Sequence, residues 1–96
     1  LADVQAYTAA AMALGNKVIV GTIAPRSDAG WTVGMEAQRV AYNTALRASH
    51  AWADGFVDVD VIAPALQADG VHWTIAGTAD VTTGAGGIKA AVDALI

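Results

Sequence analysis

The sequence predicts an α/β fold built on parallel strands, and three observations carry that reading. Helical and strand patterns alternate along the chain, as they do where helical crossovers join parallel strands. One strand pattern, Lys17-Val18-Ile19-Val20-Gly21-Thr22-Ile23, is continuously apolar and β-branched, which suits a strand covered on both faces. A second, Phe56-Val57-Asp58-Val59-Asp60-Val61, alternates apolar and acidic residues, the pattern of an edge strand with one solvated face.

The elements follow in order. Val4, Tyr7, Ala11 and Leu14 are spaced as an apolar helical stripe, and Gly15-Asn16 ends it. The first strand comes next. Residues 24–34 hold Pro25, Ser27, Asp28, Gly30 and Gly34 and read as a loop. It leaves the carboxyl end of a strand, where ligands bind in open α/β sheets. Residues 35–53 form the longest helical pattern. Ala37, Ala41, Ala45, Ala48 and Trp52 can share one face of it, with Arg39, Asn43 and Arg47 on another. Asp54-Gly55 closes that pattern ahead of the second strand. Residues 62–70 read as loop, Thr74 as the cap of a helix entering at Ile75, and Gly84, Gly86 and Gly87 as a break. Ile88, Ala91, Val92 and Leu95 then give a closing helix its apolar stripe.

Composition bounds the function. The chain has 96 residues, room for one small domain. It is 55% hydrophobic and 15% charged, which is apolar for a small domain standing alone. That balance predicts a surface partly covered by something else. Net charge is −4, and the five basic residues Lys17, Arg26, Arg39, Arg47 and Lys89 are scattered. No concentrated positive field is available for nucleic acid. No apolar stretch approaches the roughly 18 residues that span a bilayer. There is no cysteine, hence no disulfide and no thiolate zinc site.

The sharpest local feature is Asp69-Gly70-Val71-His72-Trp73-Thr74. A carboxylate three residues before a histidine on a loop can fold back onto one ring nitrogen. The tautomer is then fixed and the other nitrogen is left as a base. Such a pair can activate a serine hydroxyl.

Asp69-Gly70-Val71-His72, followed by Thr74 and Gly77, resembles the last conserved block of the SGNH/GDSL serine hydrolases. Tyr42-Asn43-Thr44-Ala45-Leu46-Arg47 resembles the family's helix before its last strand. Val57-Asp58-Val59 resembles that strand, and Lys17-Val18-Ile19-Val20-Gly21-Thr22 the strand before it. The resemblance implies a three-layer α/β/α, flavodoxin-like fold with a five-stranded parallel sheet. It also implies hydrolysis of an acyl or acetyl ester through an acyl-enzyme, without cofactor or metal. His72 would be the general base and then acid, and Asp69 its orienting partner. The family's Gly-Asp-Ser block and its oxyanion-hole blocks do not occur here, and Asn43 is misplaced for an oxyanion asparagine. The expectation is therefore that residues 1–96 are the C-terminal segment of one such domain. The remaining N-terminal part of the same protein would supply the nucleophile. The sequence departs from the family at Trp73, where proline is common, and in the glycine-rich Thr82-Thr83-Gly84-Ala85-Gly86-Gly87.

Trp31 and Trp73 are candidate walls of a pocket for a small-molecule or carbohydrate ester. The remaining polar features read more plainly. Ser27 and Ser49 are the only serines, and neither sits on the tight elbow that exposes a nucleophile. His50 suits the end of a helix, and Trp52 suits the core. Asp58 and Asp60 read as a solvated strand face and not as a metal site. Gly84-Ala85-Gly86-Gly87-Ile88-Lys89 lacks the ending of a phosphate loop and reads as a turn. A non-catalytic carbohydrate- or partner-binding module on the same scaffold is the alternative function.

Overall fold

A computed structural model describes all of residues 1–96. The elements are α1 (Ala2–Ala13), β1 (Ile19–Gly21), α2 (Val33–Ala48), β2 (Gly55–Val57), α3 (Val59–Ile62), α4 (Ile75–Thr82) and α5 (Ile88–Asp93). β1 and β2 pair in parallel, with Ile19 opposite Gly55, Val20 opposite Phe56 and Gly21 opposite Val57. Parallel neighbours need a crossover, and α2 provides it. The architecture is α/β, with a two-stranded sheet.

Both strands are shorter than their sequence patterns. At the start of β1, Val18 N donates to the Asp54 carboxylate at 2.8 Å, and Val18 O accepts from Asp54 N and Gly55 N. A turn thus replaces the ladder there. β2 ends at Val57 because Asp58 caps α3, its side chain accepting from Val61 N. The expected strand face of Asp58 and Asp60 is therefore corrected: the alternation beyond Val57 belongs to a helical turn.

α2 departs from the 35–53 pattern at both ends. Thr32 Oγ1 accepts from Met35 N at 3.1 Å and starts the helix at Val33. Ser49, with extended backbone, ends it. Trp52 consequently lies beyond the helix, half-buried in a turn, its indole donating to Ser49 O. The faces are also exchanged relative to expectation. Arg39, Asn43 and Leu46 point inward, while Ala37, Ala41, Ala45 and Ala48 are exposed. Alanine buries little area, so an alanine face has little claim on the core when a polar face finds partners.

α1 shows the same effect. Thr8 is its buried residue, and Tyr7 and Leu14, two members of the expected stripe, are 78% and 83% exposed. The helix stops as expected, with Gly15 left-handed at φ 90°. The apolar core is small: Val20, Leu46, Val57 and Val81. α5 packs on β2. Ala91 and Leu95 are half-covered, while Ile88 and Val92 are exposed. No helix is long and apolar enough to cross a membrane.

Candidate functional site

The segment between α3 and α4 folds back on itself. Leu66 and Trp73 form an antiparallel bridge. Gln67 N donates to His72 O at 2.7 Å, Gly70 N to Gln67 O at 2.9 Å, and Gln67 Nε2 to Trp73 O at 3.0 Å. Asp69 sits at the tip. Its Oδ1 accepts from Val71 N at 2.9 Å and from His72 N at 3.0 Å, an Asx turn that only a short acceptor side chain closes. That leaves Oδ2 facing the imidazole, 2.5 Å from His72 Nδ1. With the carboxylate as acceptor, Nδ1 carries a proton, and in the neutral ring Nε2 keeps its lone pair.

The hydrogen bond from His72 holds the Asp69 carboxyl down to about 2, and the backbone N–H groups of Val71 and His72 add to it. Asp69 is thus an anion throughout the neutral range. The His72 side chain is 74% exposed, so Nε2 is accessible from outside. Downstream, Thr74 caps α4 as expected, its Oγ1 accepting from Gly77 N at 3.0 Å.

An open cleft of about 390 Å³ adjoins the pair, lined by Gln67, Val71, His72, Trp73 and Thr78. Trp73 therefore flanks His72. Trp31 lines a different cleft of about 380 Å³, with Ile23, Met35, Gln38, Arg39 and Tyr42. Its indole N–H donates to Glu36 Oε2 at 2.7 Å. The two tryptophans do not share one pocket.

A second polar cluster, unforeseen in the sequence, lies at the carboxyl ends of the strands. Arg39 donates to Glu36 through Nε at 3.0 Å and Nη2 at 2.6 Å, and through Nη1 to Asp60 at 2.5 Å and Ile23 O at 2.9 Å. Arg47 forks onto Asp58 at 2.7 and 2.9 Å and reaches Asp60 at 2.7 Å. Thr22 Oγ1 donates to Asp58 at 2.8 Å and accepts from Asp60 N at 2.9 Å. Burial pushes the Asp60 carboxyl up, but Arg47 and Arg39 outweigh it and its pKa is lowered. Arg47 lowers that of Asp58. No buried side-chain donor or acceptor is left without a partner, and the cluster fastens α2 to the strand ends. The sequence did carry a signal: Arg39, Asn43 and Arg47 recur every four residues, opposite a nearby Asp-x-Asp. Complementary charge on two adjoining elements, weighed together, points to a contact and not to two solvated faces.

The other candidates are structural in placement. Ser27 lies in the irregular loop beside Gly70, its N–H donating to Gly70 O at 2.9 Å. Ser49 ends α2. His50 stacks on Phe56 with ring centroids 4.1 Å apart and planes at 8°. No three His, Asp or Glu side chains converge as a metal-binding group. Set against protein-family models, curated proteins and solved structures, the chain finds no match in any of the three.

Proposed function

We propose that Asp69 and His72 are the acid–base pair of a serine esterase of the SGNH/GDSL type. The substrate class is an acyl or acetyl ester of a small molecule or carbohydrate. The nucleophile comes from part of the same protein outside residues 1–96, and the two-stranded sheet belongs to the larger parallel sheet of a three-layer α/β/α domain. One observation carries the reading: His72 Nδ1 sits 2.5 Å from an ionised Asp69, and His72 lines an open cleft together with Trp73.

Nε2 accepts the serine proton as Oγ attacks the ester carbonyl. Asp69 stabilises the imidazolium that forms. The imidazolium then protonates the leaving alkoxide as the C–O bond breaks, leaving an acyl-enzyme. A water loses its proton to Nε2, attacks the acyl carbon and releases the carboxylic acid and the free serine. Trp73 and Val71 offer apolar walls beside His72.

Fluorophosphonate labelling of the native whole protein, with mass spectrometric mapping of the adduct, tests this. The expected adduct lies on a serine outside residues 1–96 and is lost in His72→Ala. An adduct on Ser27 would keep the hydrolase class and change the nucleophile. A folded protein that takes no label would overturn the esterase in favour of a non-catalytic carbohydrate- or partner-binding module.

A further inference from the structure

We propose that the strap Arg26-Ser27-Asp28 is the positioning element of the Asp69–His72 pair, tying the turn that holds the two side chains together to Trp31 and α2. The proposal deepens the esterase reading and rests on it for its link to turnover.

Short-range bonds bring the two side chains together, but they do not fix where the pair stands in the fold. The side chains of His72 and Asp69 are 74% and 46% exposed, and an exposed polar contact on a short turn is weak. A base that must meet a serine within hydrogen-bond reach needs a brace from elsewhere in the fold. The strap is the part of the structure seated on this turn.

Gly70, next to Asp69 inside the turn, is buried and left-handed at φ 72°. A Cβ there would stand 2.7 Å from Asp28 N and 2.8 Å from both Ser27 C and Ser27 Oγ. The strap backbone therefore lies directly on the glycine, and Ser27 N–H donates to Gly70 O at 2.9 Å. Gly70 is enclosed by the bonds from Val71 N and His72 N to Asp69 Oδ1, so any displacement of Gly70 moves the carboxylate that orients the ring.

The strap is in turn tied to Trp31 by several contacts. Arg26 forks onto Asp28 with two bonds of 2.9 Å, and its guanidinium lies 4.6 Å from the Trp31 ring centroid. Trp31 N donates to Asp28 O at 3.0 Å, and the Trp31 indole is held by Glu36 of α2. A continuous set of contacts thus runs from α2 through Trp31 and Arg26 to Gly70 and the imidazole. Trp31, which does not line the cleft beside His72, acts on the site through the strap.

The test reads the His72 tautomer by imidazole ¹⁵N and ¹³C NMR in the whole protein, with kcat and KM for an ester measured alongside. The His72 resonances are identified by their loss in His72→Ala. Wild type is expected as the Nδ1–H tautomer. Gly70→Ala and Arg26→Ala should mix the tautomers and lower kcat about ten- to a hundredfold with KM little changed. Arg26→Lys keeps the charge but not the fork, and should fall between. Gly86→Ala is the control. Gly86 has the same φ of 72° and no heavy atom within 4 Å of the added Cβ, so it carries the backbone strain without the strap clash. It should leave tautomer and kcat as in wild type. If Gly70→Ala does not fold, Arg26→Ala decides alone. A wild-type tautomer and kcat in folded Arg26→Ala would overturn the strap. Full turnover in His72→Ala would overturn the esterase reading instead, and the tautomer would still judge the strap.

Discussion

Asn43 grips the backbone of Ile23 from both sides: Oδ1 accepts from Ile23 N at 2.8 Å, and Nδ2 donates to Ile23 O at 2.9 Å. Asn43 is fully buried, and the residue it holds is where the chain leaves β1. The amide substitutes for a strand partner, giving Ile23 the donor and acceptor that the ladder no longer supplies. Asn43→Leu keeps the branched shape, with a somewhat larger side chain, and strands the Ile23 N–H. It should lower stability by about 1–3 kcal/mol, read as a shift of the urea midpoint at constant slope. Asn43→Asp should also destabilise, because a carboxylate cannot donate to Ile23 O. An unchanged midpoint in both would mean that the clamp contributes nothing.

Gly77 brings the first turn of α4 against Ala65. An added Cβ would lie 2.6 Å from Ala65 O and 2.8 Å from Ala65 N. Ala65 has little room to yield, since its carbonyl accepts from Thr74 N at 2.9 Å. Alanine gains about 1 kcal/mol of helix propensity over glycine, but forcing apart packed backbone costs about 1–3 kcal/mol. Gly77→Ala should therefore lower the melting temperature. Gly34→Ala, in α2 with its nearest neighbour 3.9 Å away at Thr32 Oγ1, should hold or raise it. A Gly77→Ala protein as stable as Gly34→Ala would refute the close approach.

Asp69 and His72 should respond differently to substitution in the whole protein. On the proposed esterase reading, His72→Ala removes the base and should reduce kcat for an ester by about a thousandfold or more. Asp69→Asn cannot accept as an anion and favours the wrong tautomer, with an expected loss of about 10²–10⁴-fold. Neither change should move the melting temperature much, because both side chains are exposed. Loss of fold in step with loss of activity would count against the catalytic assignment.

Acid should act on the Trp31 cleft late. Arg39, and then the Trp31 indole N–H, hold the Glu36 carboxyl down to about 2 from 4.5. A carboxyl depressed in the folded state stabilises fully above its unfolded value and loses that contribution as pH falls through its folded value. The Trp31 fluorescence, taken as wild type minus Trp31→Phe, should stay level down to about pH 4 and change toward pH 2. Glu36→Gln should remove that late step. A midpoint near 4.5 would show that the contacts from Arg39 and Trp31 to Glu36 are absent in solution.

The sequence by itself determined what short-range bonds decide. Thr74 capping α4, Gly15 ending α1, the helix–strand alternation and the meeting of Asp69 with His72 are all set within a few residues, where backbone geometry and side-chain length leave few alternatives. Only the tertiary structure decided which face of α2 turns inward, that Asp58 and Asp60 leave the strand for Arg39 and Arg47, that Trp73 and not Trp31 flanks His72, and that a strap from more than 40 residues earlier in the chain presses on Gly70. An alanine-rich helix has no strongly apolar side to announce its orientation. Its polar face becomes an interior once donors and acceptors from distant segments meet it with matching geometry, and that matching exists only in three dimensions.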